Sequence, residues 1–438
     1  MTIGLKHTGD NNNRIKYTID FINEHPLNPG LHFLYQQDGE KNIYYGEDDS
    51  QDYLIPRNCS FLNSDLVRFE SYTANNYRYR DQLFYSVERE SKKEQPFIKD
   101  NHFQFDILGM IFFHISRYEE YHCPASMHNE WDTMFEHEQF LVSNQIEKQA
   151  VVDQVLSCFY SIFTAKEILR KTSFTISHDI DHIEKFASSF SIFKKVPGHL
   201  LRRRSFKYLG LLIEQFSQSI SDHKLDPYHN FDWLLTEKDI DKEIYFLVGG
   251  KHKVDTAIPL NHEGFIRSVA IAKERNYRIG IHPSYSSWNN ADIIKSEKRN
   301  LERIIKSSID FSRQHYLHFD FRHTPDSLLK SGIKEDASLG YNRHIGFRCG
   351  TGFSYKLYDF TKEESSSLIE KPLSFMDSSC WHESKRNKHK FKSLFDQFFK
   401  ANQTNTHINC NFHNSFFDEA SFNGLDFKSM YLELLENI

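Results

Sequence analysis

The spacing of apolar residues changes character several times along the chain, and each change predicts an element. Residues 31–35 and 43–45 read as short strands set among turn residues. From Asp106, a predicted N-cap, Ile107, Met110, Ile111, His114, Ile115 and Tyr118 recur at helical spacing, so a helix with one buried face should run to about 117–121. A second helical pattern covers residues 147–169, and 170–172 forms the expected boundary between two units, 1–170 and 171–438. Beyond it, Phe174 and Ile176 alternate with Thr175 and Ser177, the period of a strand. Further strands are predicted at 244–248, 278–281, 315–321 and 408–412. Between them lie helical patterns at 208–216 and around Ile294, Leu301, Ile304 and Ile305. Helix and strand alternate through the second unit, the arrangement of a parallel α/β sheet or barrel, whereas the first unit reads as a smaller mixed α+β region.

Composition narrows the functional classes. The 438 residues carry 39 Phe and 22 Tyr, which predicts aromatic cores and surfaces able to stack on sugars. A formal net charge of -6 argues against a general nucleic-acid binder. No apolar run reaches the roughly 18 residues of a membrane span, and residues 1–20 are too polar for a signal peptide, so the expected location is cytoplasmic. The triplet Arg202, Arg203 and Arg204 offers peripheral contact with an anionic membrane, although a solvated face is the commoner use of such a run. Six cysteines without a CxxC pair predict reduced, packed thiols. Oligomeric state is not legible.

Chemistry concentrates where the predicted strands stop. The strand at 173–177 runs into His178, Asp179, Asp181 and His182; that at 278–281 delivers His282, Pro283, Ser284 and Tyr285; that at 408–412 delivers His413 and Asn414. In a parallel barrel all such ends point to one face, so these side chains should converge. Carboxylates and imidazoles gathered there can bind a divalent metal or share the proton transfers of a hydrolysis. Asp181 and Glu184 also have capping-box spacing, which would make Asp181 the start of a helix over 182–190.

Taken together, these residues resemble the polysaccharide deacetylase, or NodB homology, family, over about residues 100–420. Phe321-Arg322-His323-Thr324-Pro325 looks like its third motif, and Ser116 to Tyr121, His282 to Tyr285 and Gly346 to Thr351 resemble segments of a branch with an extra N-terminal region. The resemblance implies a distorted (β/α) barrel preceded by the smaller N-terminal domain, and a metal-dependent removal of an N- or O-acetyl group from a sugar or polysaccharide precursor. It implies Asp179 as general base, Asp181 and His282 as ligands of a divalent metal such as zinc, and His413 as general acid. Arg322, Arg348 and Tyr285 would contact the carbohydrate.

One position departs from the family pattern. The second histidine expected four residues after His282 is Ser286, a poor zinc ligand. Either His182, His178 or His323 supplies the third ligand, with His182 favoured because an extended strand turns His178 away from Asp179, or the metal is weakened or lost. Loss would leave a barrel that binds carbohydrate or scaffolds polysaccharide assembly. A third reading takes Asp179 and Asp181 as the DxD clamp of a glycosyltransferase, which gives His282 and His413 no task.

Overall fold

The computed structural model describes residues 1–438 apart from 9–11, 47–51, 58–59, 63–71, 130–132, 187–205 and 423, and apart from the side chains of 60 and 206–208. Arg202 to Arg204 and residues 187–190 of the predicted helix over 182–190 therefore lie outside the described residues.

The N-terminal region is built on a six-stranded sheet. Strands β1 (Thr2–His7), β2 (His32–Tyr35), β3 (Lys41–Tyr45), β4 (Tyr53–Ile55), β8 (Ile98–Lys99) and β9 (His102–Phe103) lie in the order β2-β1-β3-β4-β9-β8, parallel except for the β8–β9 pair. A three-stranded sheet of β5 (Thr73–Tyr79), β6 (Gln82–Glu88) and β7 (Gln95–Pro96) lies beside it in sequence. Asp106 caps the predicted helix, Ile107–Ile115, by accepting from the Gly109 N–H at 2.7 Å. All nine helix residues are buried, so it is a central element and not a one-faced surface helix. It stops at Arg117, whose φ of 55° breaks the helical path before a second turn, Tyr118–His122.

The second region curls a nine-stranded mixed sheet into a half-barrel. Its strands are β10 (Ser173–Ile180), β11 (Asp241–Phe246), β12 (Arg278–Ile281), β13 (Phe311–Ser312), β14 (Glu335–Asp336), β15 (Tyr355–Asp359), β16 (Glu364–Glu370), β17 (Phe375–Met376) and β18 (His407–Asn411). The order is β15-β16-β14-β13-β12-β11-β10-β18-β17, and only the β15–β16 pair is antiparallel. Central β10 is buried from Thr175 to Ile180, as a parallel strand covered on both faces must be. Helices Phe206–Ser221, Glu263–Glu274 and Ala291–Ile305 connect successive parallel strands.

Two sequence expectations are corrected here. Residues 315–321 form no strand; the chain makes a tight turn at His315–Leu317 with Tyr316 at φ 60°, after a strand of only two residues. Residues 181–186 are not helical either, so Asp181 caps nothing.

Register sets the site. Ile180 lies opposite Phe246, Phe246 opposite Ile281, Ile281 opposite Ser312, and Ser177 opposite Asn411, which itself lies opposite Met376. The residues that follow these positions therefore emerge along one rim. They are Asp181, His282, Arg313, Asp377 and, two residues past Asn411, His413. Beneath the rim, an aromatic cluster that includes Phe391, Phe395, Phe412, Phe416 and Phe427 backs β18. A second cluster is continuous from the N-terminal sheet into β11, β12 and β15, so the two regions share a core. No helix among the described residues is long and apolar enough to cross a membrane.

Candidate active site

A cleft of about 560 Å³ opens at this rim and is lined by Asp179, Asp181, His182, His282, His315 and His413 among others. Asp181 Oδ1 is 3.3 Å from His282 Nε2 and 3.9 Å from His315 Nε2, and the three ligand atoms lie within 4.8 Å of one another.

Both imidazoles are oriented from behind. His282 Nδ1 donates to the Arg313 carbonyl at 2.5 Å, and His315 Nδ1 donates to Asp255 Oδ1 at 2.8 Å. In the neutral rings the proton then resides on Nδ1, so the Nε2 lone pairs face the Asp181 carboxylate. With both rings neutral, three acceptors converge on one point, an arrangement that a cation satisfies. Burial works against a charged His282, but Asp179 and Asp181 outweigh it and raise its pKa. Asp181, although buried, is driven well below the usual carboxylate range by His282, His315 and His413. Two imidazoles and one carboxylate with open positions fit zinc or another divalent transition ion.

Asp179 sits beside this group with its Oδ2 4.0 Å from His282 Nε2. Its Oδ1 accepts from Arg313 Nη1 at 2.8 Å and its Oδ2 from Asn411 Nδ2 at 2.7 Å. Burial favours the neutral acid, yet Arg313 prevails and lowers the pKa. Arg313 is itself fully buried; it also bonds Ser177 Oγ and the Ala337 carbonyl and lies over the Tyr245 ring at 4.4 Å.

His413 also borders this group, its Nε2 3.9 Å from Asp181 Oδ2. Its Nδ1 donates to Asp377 Oδ1 at 2.6 Å, and its backbone N–H donates to Asp377 Oδ2 at 2.7 Å. Burial opposes the imidazolium, but Asp377, Asp181 and Asp179 together raise the pKa to about 10. His413 thus carries a proton at neutral pH, with Nε2 facing the cleft.

The other predicted positions fall elsewhere. His178 points to the far side of β10, donates to the Phe412 carbonyl at 2.9 Å and packs near Tyr277 and Tyr431; burial pushes its pKa down to about 4. His182 lines the cleft outside the ligand group. His323 is exposed and bonded to Asp320. Ser286 is exposed, and in its place His315 completes the group.

The three residues assigned to the carbohydrate do not line the cleft. Arg322 donates to the Tyr121 carbonyl, Arg348 is buried against Glu120, and Tyr285 is stacked between His252 and His318 at 4.6 Å from each. Sequence reading missed His315, Arg313, Asp255 and Asp377. Arg313 and Asp377 each follow a two-residue strand too short to show a period, and Asp255 lies in a loop.

Comparison with known proteins adds little. Residues 5–168 match a family described as "Family of unknown function (DUF7033)". No curated protein matches. Among solved structures, the chain is similar to one described as "putative polysaccharide deacetylase from Mycobacterium smegmatis", at 11% identity and a TM-score of 0.35, covering 60% of this chain and 85% of that one. At that score the likeness carries no argument, and the site must be read from its own geometry.

Proposed function

We propose that the chain is a metal-dependent hydrolase that removes an acetyl group from a sugar or polysaccharide precursor, with 171–438 as its catalytic unit and 1–170 as an accessory unit. The observation that carries this reading is the convergence of Asp179, Asp181, His282, His315 and His413 on one cleft, with both ligand imidazoles fixed through Nδ1.

Asp181, His282 and His315 would hold the metal. When bound, such an ion polarises a carbonyl and lowers the pKa of a coordinated water. Asp179, pinned by Arg313 and Asn411, accepts a proton at Oδ2 on the His282 side. His413, protonated and held by Asp377, delivers a proton from Nε2 to a departing amine or alkoxide. Asp179 lies 4.0 Å from His282 and His413 lies 3.9 Å from Asp181, so a proton acceptor and a proton donor both border the ligand group. The presence of His315 favours an active site over the binding-only reading, which rested on Ser286.

The test is metal content and acetate release from acetylated glucosamine oligomers. Wild type should bind one zinc per chain and release acetate; His315→Ala should lose metal; Asp179→Asn should keep metal and lose acetate release. Undiminished metal in His315→Ala, or full acetate release by Asp179→Asn, would overturn the assignment.

A further inference from the structure

Tyr245 stands in register with Asp179 on the neighbouring strand and with Gly280 on the strand beyond. The phenol and the carboxylate therefore share one face of the sheet. The ring is fully buried, does not line the cleft, and is fixed by its neighbours. Its hydroxyl donates to Glu243 Oε2 at 2.5 Å, and Phe311 meets it edge-on with ring centres 5.5 Å apart. Glu243 in turn accepts from Lys371 and Arg278, so the phenol cannot tilt without disturbing a buried carboxylate. A Cβ at position 280 would come within 2.9 Å of the Tyr245 ring and 2.6 Å of the Phe311 ring; glycine there leaves both rings their place. Arg313 lies over the face of Tyr245, its Cζ 4.4 Å from the ring centre. That guanidinium directs Nε to the Ala337 carbonyl and Nη1 to Ser177 and Asp179, while its buried Nη2 has no hydrogen-bond acceptor among the described residues. An N–H buried without an acceptor is costly, and the negative face of an aromatic ring offsets part of that cost.

Resting on the metal-hydrolase reading, we propose that Tyr245 is a positioning residue: its ring is the platform that holds Arg313 where Nη1 meets Asp179 Oδ1, and so keeps Asp179 Oδ2 turned to the ligand group. The effect needs the ring face and not the hydroxyl, because it is the face that Arg313 covers. Loss of the face frees the guanidinium to shift toward an acceptor for Nη2, and the carboxylate it holds turns with it. A misplacement of about 1 Å at a reacting group costs on the order of 100-fold in rate.

Three substitutions separate the parts of the side chain: Tyr245→Phe keeps the ring, Tyr245→Leu removes it, and Tyr245→Met fills more of the space without a ring face, which guards against a Leu variant that does not fold. The zinc-loaded full chain is titrated calorimetrically with acetohydroxamic acid, which chelates zinc through two oxygens as its proton passes to a neighbouring base, so the reading needs no turnover. Tyr245→Leu and Tyr245→Met should bind it about 10- to 100-fold more weakly at unchanged zinc content, the range for partners that orient a metal site from behind. Tyr245→Phe should stay within about threefold of wild type. Acetate release should show the same split in kcat, with KM unchanged. In the Asp179→Asn background, removing the ring should make no further difference. A merely structural tyrosine would lower thermal stability without this split. Wild-type hydroxamate affinity in both ringless variants, an equal loss in Tyr245→Phe, or a ring effect that persists without the Asp179 carboxylate would overturn the proposal. Acetate release by wild type with no ring effect would refute the role of Tyr245 alone. The ring effect on hydroxamate in a protein that releases no acetate would refute the deacetylase reading alone, and a wild type that binds neither zinc nor hydroxamate would overturn both.

Discussion

Replacing Glu120 by glutamine should destabilise the protein by about 3 kcal/mol at neutral pH, and the reason is visible in one buried cluster. Glu120 accepts from Arg117 Nε at 2.8 Å and Nη2 at 2.5 Å, and from Arg348 Nε at 3.0 Å and Nη2. Arg117 also donates to the Arg348 carbonyl, so this carboxylate and its two guanidiniums tie helix Tyr118–His122 to the loop after β14. Burial favours a neutral Glu120, but Arg348 and Arg117 overcome it and bring its pKa from 4.5 to about 2. That displacement corresponds to about 3 kcal/mol in favour of the charged form. Breaking a buried pair costs about 3–5 kcal/mol by a separate route, because the partner cations are left uncompensated. The lowered value means that the contribution is present above pH 4.5 and disappears as pH falls toward about 2. Neighbouring Glu119 has the opposite sign: burial outweighs Arg117 and raises it to about 7, so its contribution is present below pH 4.5 and is lost as pH rises through 7. Urea denaturation at pH 8 should therefore show a large loss for Glu120→Gln and a smaller one, or a gain, for Glu119→Gln. Arg348→Met should lose stability without changing substrate KM. Adding it to Glu120→Gln should cost less than it does alone, since one stranded cation is removed. Equal effects of the two glutamine substitutions at pH 8, or a loss below about 1 kcal/mol for Glu120→Gln, would refute the reasoning.

Three further outcomes follow from the cleft. Asp255→Asn removes the carboxylate that orients His315 and should weaken zinc about 10- to 100-fold in chelator competition, with unchanged affinity counting against that role. In metal-free protein, Asp377→Asn should flatten the pH dependence of thermal stability between 6.5 and about 10. The raised His413 pKa gives stability that is full below 6.5 and lost as pH rises through about 10, and a slope identical to wild type would contradict this. Ser286→His should leave zinc stoichiometry unaltered by metal analysis, because Ser286 is exposed and outside the ligand group, and a second equivalent of zinc would show otherwise.

Asp179, Asp181, His282 and His413 could be found from sequence because each stands just past a strand, or at the end of one long enough to display its alternation, and parallel strands present such ends on one side. The capped helix at Asp106 and the strand at 278–281 were legible for the same reason: their signals are local. Whether a side chain beyond a strand turns into the cleft is not local. His178 and His315 are both histidines in turn- or strand-like contexts, yet pleat sends one into an apolar pocket, and a left-handed turn at Tyr316 presents the other to Asp181. Arg348 shows the same limit, since its partner Glu120 is 228 residues away and only the shared core brings them together. Residue type and period thus determined which strand ends bear chemistry. Sheet register, the two-residue strands β13 and β17, and pairing between distant carboxylates and cations decided which of those groups meet.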